Sequence, residues 1–365
     1  MRLVILTTGG TGGHVFPALA VAEELRSRHA GLELLFVGGR HGREAEFAAR
    51  AGLPFVGLPV RGFLGRGPRA VGAAFGLAWA LGISWRLLAR RRPDVVVGFG
   101  GYAGFAPVAM AALRGVPCAL HEQNSRPGSA NRLLGRWVDR VFLSFPDEAK
   151  FFDAARTRLT GNPVRAAIRE AGARAGAGAA PAGRRVLVAG GSLGARAINE
   201  AVAGSLEALR ARGFSLWHQT GAEDEQTVRA AYACAGWTGE GARVQPFIDD
   251  MAAAYAWADV VLCRAGATTV AELAVMGKPS VLVPFPYATH DHQTANARRL
   301  EQAGAALLLP QGALGQTDLA QALDALFTEP GRLERMGAAA RTLGAPDAAA
   351  ALADEIEALA ARRVA

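Results

Sequence analysis

The chain has 365 residues, 51% of them hydrophobic, with 40 basic against 32 acidic side chains and a formal net charge of +8. This excludes intrinsic disorder and leaves room for two domains of ordinary size, each with its own core. The charge suits an anionic partner, whether nucleic acid, an acidic membrane face or a phosphorylated substrate. However, every basic residue except Lys150 and Lys278 is Arg, so the bias reflects genome composition as much as phosphate recognition.

Short runs rich in Val, Leu and Phe alternate with longer Ala, Leu and Arg stretches of helical period, which predicts βα units and parallel sheets. Met1-Arg2 leads straight into a strand over 3–6, with no room for the apolar core of a signal peptide. Cys118, Cys234 and Cys263 are scattered without a C-x-x-C pair; both features predict a cytosolic, reducing address. The strand opens into Gly9-Gly10-Thr11-Gly12-Gly13 and a helix carrying His14 and Pro17. A strand, a side-chain-free turn and a helix N-terminus together offer N–H groups to phosphate oxygens, although such glycines also serve tight packing alone. Val15 stands where the dinucleotide fingerprint needs its third glycine, and the nearest approach to a Walker element, Gly277-Lys278-Pro279, is spoiled by Pro279. His14 is a candidate general base, because an imidazole ordinarily titrates near pH 6.5. The alternative is a histidine that merely orders the loop. Pro17 is read as lying in the first turn, where N–H groups lack partners.

Further strands are expected at 34–37, 55–58 and 95–97. Between the last two, 70–85 is almost wholly apolar and ends in Arg86, Arg90, Arg91 and Arg92. It is short for a span, which needs about 20 apolar residues. Phe75, Trp79, Ile83, Trp85 and Arg86 could instead contact an anionic membrane surface; the competing reading is a buried core helix with a solvated basic end. After a strand at 118–120, His121-Glu122-Gln123-Asn124 emerges where open parallel sheets bind ligands, and Asn124 is the expected contact. A strand at 141–143 closes the first half. The boundary is expected between Thr160 and Arg184, across Gly161-Asn162-Pro163 and the low-complexity stretch 171–183.

The second half restarts with a strand at 186–189 and Gly190-Gly191-Ser192-Leu193-Gly194, and strands follow at 215–218, 260–262, 281–283 and 306–309. After the third of these, Arg264-Ala265-Gly266-Ala267-Thr268-Thr269-Val270-Ala271-Glu272 enters a helix, and its small residues would let a sugar or phosphate approach the backbone. Glu272 could accept two hydrogen bonds from a ribose diol, or simply stabilise the helix dipole. Gln293 suits sugar hydroxyls, with a donor and an acceptor on one amide. His290 and His292 lack a third ligand cluster, so no metal is expected. Residues 346–363 read as a helix that packs back on the first domain.

Taken together, the ordered series resembles the bacterial peptidoglycan N-acetylglucosaminyltransferases, the MurG family of glycosyltransferase family 28. The resemblance is carried end to end by 9–14, Gly100-Gly101-Tyr102, 121–124, Gly161-Asn162-Pro163-Val164-Arg165, 190–192, Phe247-Ile248-Asp249-Asp250-Met251, 264–272, and Gln293 ahead of Asn296-Ala297. It implies a GT-B architecture: α/β, with two Rossmann-like domains whose parallel sheets face across a cleft, the first over 1–160 and the second over 161–345. The implied reaction is metal- and cofactor-free transfer of N-acetylglucosamine from UDP-GlcNAc to the muramyl 4-hydroxyl of lipid I, giving lipid II, at the cytoplasmic face of the membrane.

The resemblance assigns the diphosphate to Ser192 and its loop, the uracil to the backbone of Ile248, the ribose to Glu272, and the sugar to Ala267 and Gln293. Arg165 and Asn124 complete the donor site, while Thr11, Gly12 and Gly13 bring the first loop to the cleft beside His14. Leu193 replaces a glutamine common in the family, and the loop 287–289 differs in length. Two rivals remain. One is a UDP-GlcNAc 2-epimerase on a similar scaffold, which would not need the apolar segment. The other is a nucleic-acid-binding protein, disfavoured because no basic stripe is interleaved with aromatics.

Overall fold

The computed structural model describes residues 1–10, 12–60, 70–175, 183–191, 194–239 and 241–362. Thr11, Ser192 and Leu193, along with most of the low-complexity stretch, lie outside them. Two compact units emerge, one formed by Met1–Arg165 with Ala345–Ala365 and the other by Ala166–Gly344.

The first unit contains β1 (Leu3–Thr7), β2 (Glu33–Gly39), β3 (Phe55–Leu58), β4 (Val95–Gly98), β5 (Cys118–Glu122), β6 (Arg140–Leu143) and β7 (Thr157–Leu159). They form one sheet in the order β3-β2-β1-β4-β5-β6-β7, parallel throughout. β1 is apolar along nearly its whole length because both faces of the sheet are covered. Leu3 and Ile5 enter a core shared with the helices Ala70–Arg91 and Gly101–Leu113. Val4 and Leu6 enter the opposite core, under the helices Gly12–Arg28 and Ala348–Ala361. The last helix contributes Leu352, Ile356 and Leu359 to that core, and its Glu355 lies 3.7 and 3.6 Å from Arg140 of β6 and Arg158 of β7.

The second unit repeats the plan with β8 (Arg185–Ala189), β9 (Ser215–Gln219), β10 (Ala242–Gln245), β11 (Val260–Cys263), β12 (Ser280–Leu282) and β13 (Ala306–Leu308). Its order is β10-β9-β8-β11-β12-β13, again parallel. Each sheet therefore reverses its strand order beside its first strand, between β1 and β4 and between β8 and β11. Open α/β sheets take ligands outside the carboxyl ends of strands at such points. β7 and β10 were not anticipated; both are short edge strands, largely exposed, without an apolar run.

The helix Ala70–Arg91 puts Leu77, Ala80, Leu81, Leu87 and Leu88 into the core it shares with the helix Gly101–Leu113. Phe75, Trp79 and Trp85 stand 70%, 59% and 46% exposed on other faces, and Arg86 is exposed as well. Ile83 is half-buried and packs on the core, because the helical repeat places it at the flank of the exposed stripe. Pro17 departs from expectation. It falls beyond the first turn of the helix Gly12–Arg28, where its missing N–H interrupts the ladder.

The turns after β1 and β4 interlock. Gly9 N–H donates to Gly100 O at 3.0 Å, and a Cβ on Gly101, which sits at φ +76°, would fall 1.7 Å from Gly9 O. Gly101→Ala is therefore expected to cost at least about 2 kcal/mol through overpacking and left-handed strain. Thermal unfolding checks this; an unchanged Tm would contradict the interlock.

Candidate active site

At the first switch point, the glycine turn delivers His14 to the start of its helix, half-buried. Its Nδ1 lies 2.9 Å from Gln123 Oε1. Gln123 is itself 1% exposed, and its Nε2 donates to Phe99 O at 3.0 Å and meets His121 Nδ1 at 3.1 Å. His121 Nε2 donates to Gly161 O at 3.0 Å. Complete burial pushes the His121 imidazole down to about 4, so it is neutral at working pH.

β5 runs two residues further than expected, to Glu122, which explains why most of the polar run His121-Glu122-Gln123-Asn124 faces inward. Glu122 is 2% exposed and holds the following loop. It accepts from Asn124 N–H and Nδ2, Gly128 N–H and Asn131 Nδ2 at 3.0, 3.2, 3.0 and 2.8 Å. Asn124, the residue expected to touch ligand, is thus oriented by Glu122. Arg165 stacks its guanidinium 4.5 Å above the Phe16 ring, on the helix that begins with Gly12, Gly13 and His14.

At the second switch point, Gly190 and Gly191 follow β8. A Cβ on Gly190 would lie 2.4 Å from Ala195 N, and one on Gly194, at φ +80°, would lie 2.2 Å from Thr220 O. Gln219, at the end of β9, donates to Gly191 O at 2.7 Å and accepts from Ile248 N–H at 3.0 Å. Ile248 is buried at 2% exposure with its N–H already engaged, so its carbonyl is the backbone group left for a base.

The helix Ala267–Met276 starts at Gly266 with no side-chain cap. Ala267 and Thr268 are buried, while Thr269 and Ala271 are half-buried. The Val270 side chain is in the interior at 2% exposure, and its N–H donates to Gly266 O at 2.9 Å. Glu272 is 4% exposed and receives the Tyr255 hydroxyl on Oε2 at 2.9 Å. Gln293 Oε1 accepts from Phe285 N–H at 2.9 Å, so its amide N–H groups are the end turned to other partners. Arg264 serves the scaffold, donating to Val283 O and Pro284 O and reaching Gln311 Oε1. His292 Nδ1 donates to Thr289 O, and no cluster of metal-binding side chains occurs among the described residues.

Gln219 and Tyr255 were not singled out from the sequence. Gln219 ends a strand that also carries Ser215 and His218, and Tyr255 stands among apolar residues of the helix Met251–Trp257, so only the fold reveals what each holds. Asn199, also buried, ties His218 and Thr220 O together at 3.0 and 2.9 Å.

Two parallel sheets of the same strand order, each with a glycine turn and polar side chains at its switch point, define the GT-B fold of nucleotide-sugar enzymes. The glycosyltransferase family 28 N-terminal domain matches residues 4–143 and its C-terminal domain residues 185–352. The UDP-N-acetylglucosamine–N-acetylmuramyl-(pentapeptide) pyrophosphoryl-undecaprenol N-acetylglucosamine transferase of Nitratidesulfovibrio vulgaris is 60% identical, over 97% of this chain and 96% of that protein. The crystal structure of Acinetobacter baumannii MurG is similar at TM-score 0.74 and 33% identity, covering 98% of this chain and 99% of that one. The chain belongs to glycosyltransferase family 28, in its N-acetylglucosamine transferase branch. A UDP-GlcNAc 2-epimerase from Neisseria meningitidis has the same fold at TM-score 0.66, with 13% identity and coverage of 98% of this chain and 100% of that one.

His121 makes stability pH-dependent with a definite sign. Its folded value of about 4 lies below the ordinary 6.5, so the unfolded chain binds the proton more tightly. The stabilisation is complete above about pH 6.5 and is lost as pH falls towards 4, on the order of 3 kcal/mol. Thermal unfolding across this window should show the decline, and His121→Asn should lessen its slope without abolishing it, because burial also pushes His218 down to about 4; parallel profiles for the two proteins would refute the assignment.

Proposed function

We propose that this chain is an inverting, metal-independent transferase that moves N-acetylglucosamine from UDP-GlcNAc to the muramyl 4-hydroxyl of lipid I, releasing UDP and lipid II. The observation that carries this reading is the 60% identity to a transferase of that name over nearly the whole of both chains. The 2-epimerase has the fold in common and too little identity to carry its activity over.

In the proposed reaction the acceptor oxygen forms a bond to the anomeric carbon as the bond to the diphosphate breaks. The acceptor proton passes to His14, and the electron pair leaves with UDP. Donor recognition is assigned to the second unit: Ser192 and its loop at the diphosphate, the Ile248 carbonyl at the uracil, Glu272 at the ribose, and Ala267, Thr268, Thr269 and Gln293 at the sugar and phosphates. Thr11, Gly12, Gly13, Asn124 and Arg165 are assigned to the substrates from the first unit.

Docking on an anionic membrane surface at its cytoplasmic face fits the exposed Phe75, Trp79, Trp85 and Arg86. No described helix is long and apolar enough to cross a membrane. Exposed aromatic rings and arginines on one helix each favour an interfacial position. Nucleic acid is not a partner in this reading.

His14→Ala is expected to lower kcat by about 100-fold or more with donor KM nearly unchanged, because a base acts in the transition state. An unchanged kcat would remove His14 from the chemistry. Glu272→Ala should do the reverse, raising donor KM about tenfold or more; unaltered donor affinity would refute the ribose contact. UDP release that requires the lipid-linked acceptor supports the transferase, whereas UDP-ManNAc formed from UDP-GlcNAc alone would favour the epimerase. The double substitution Phe75→Glu and Trp79→Glu should weaken sedimentation with vesicles containing anionic phospholipid about tenfold or more; equal binding would move the docking face elsewhere.

A further inference from the structure

We propose that Gln123 is a positioning residue that holds His14 in the Nδ1–H tautomer, leaving Nε2 as the ring's only lone pair for the acceptor proton. The inference rests on the reading of His14 as the base. It follows from the directions in which the hydrogen bonds run.

A backbone carbonyl can only accept. Phe99 O, 3.0 Å from the Gln123 amide, therefore demands the NH2 end of that amide. The second N–H of the same group meets His121 Nδ1 at 3.1 Å, which must be a lone pair. Gly161 O, 3.0 Å from His121 Nε2, is also acceptor-only, so the His121 proton sits on Nε2 and its Nδ1 is free to accept. The two ends of the chain agree. Reversing the amide would set oxygen against Phe99 O and against a lone pair of His121. Gln123 Oε1 thus faces His14 Nδ1 at 2.9 Å, and since that oxygen cannot donate, Nδ1 carries the proton.

Gln123 is 1% exposed and His121 fully buried, so water does not compete for the bonds to Phe99 O, Gly161 O and between the two side chains that fix the amide's orientation. A Cβ on Gly100 would lie 3.2 Å from His14 Nδ1 and Cε1, so a glycine there leaves room for the ring beside the turn. The charged and titratable groups on the surrounding elements are Glu44, which accepts from Gly10 N–H at 2.8 Å, Glu122 in β5, Tyr102, Arg165 over Phe16, and His121. A carboxylate in place of the amide would orient the ring too, but would add a negative charge that favours imidazolium.

The direct test is nitrogen NMR of the full-length protein labelled at histidine, with the His14 signals assigned by their loss in His14→Ala. The expected pattern is a protonated, pyrrole-type Nδ1 and a pyridine-type Nε2; the opposite assignment overturns the proposal. Kinetics supply a second readout. Gln123→Met, of similar shape but unable to make these bonds, should lower kcat about 10-fold to 100-fold with donor KM within about twofold. Gln123→Glu should move the acid limb of the kcat profile upward by about one pH unit. An unmoved acid limb in Gln123→Glu, or a Gln123→Met defect confined to KM, would overturn the positioning role while leaving His14 as base. If His14→Ala keeps full kcat, the base reading falls and this inference with it. In the His14→Ala background, Gln123→Met should cause no further loss of kcat.

Discussion

The first unit depends on a place where two backbones touch because neither carries a side chain. Gly9 and Gly101 approach so closely that a single methyl on Gly101 would occupy the space of Gly9 O. That approach draws the turn after β1 onto the start of the helix after β4, and thereby fixes where His14 begins its own helix. The Gln123 amide then needs only its ordinary reach to span from Phe99 O, at the end of β4, to the imidazole. Packing without side chains places the ring, and polar bonds with a direction then select its protonation pattern.

The second unit uses the same strand order to a different end. Its glycine turn also excludes Cβ atoms, at Gly190 and Gly194, but the side chain that crosses its switch point is Gln219, joining Gly191 O to Ile248 N–H. In one unit a glutamine hydrogen-bonds the His14 ring. In the other it ties a loop to a strand end, and the only acid nearby assigned to ligand, Glu272, is held from beneath by Tyr255. Equal topology therefore does not imply equal chemistry.

Much of this was legible in the sequence. Central strands such as Leu3–Thr7 and Val260–Cys263 are buried on both faces, and that burial demands the apolar runs by which they are recognised. β7 and β10 were not, since an exposed edge strand of three or four residues carries no periodic signal. The polar run 121–124 was visible as a cluster at a strand end, yet its inward turn was not, because hydrogen bonds to Phe99 O and Gly161 O join residues remote in sequence. Tyr255 is in the same position: nothing local distinguishes it from a core aromatic until Glu272 is seen beside it. Ile83 shows the limit of composition, since the apolar stretch announced a stripe while only the helix's packing on the core beside the helix Gly101–Leu113 decided its edges.

The closing helix, Ala348–Ala361, belongs to the core of the first unit although it comes last in the chain. On the ribosome this inverts the usual order, in which the amino-terminal domain matures first. Residues 166–344 can finish their sheet and both its faces while β1 and β4 still lack the cover that Leu352, Ile356 and Leu359 provide. The nascent first sheet therefore spends the remainder of translation with one apolar face incompletely shielded. Emergence of the helix Ala348–Ala361, rather than of β7, completes the unit that carries His14.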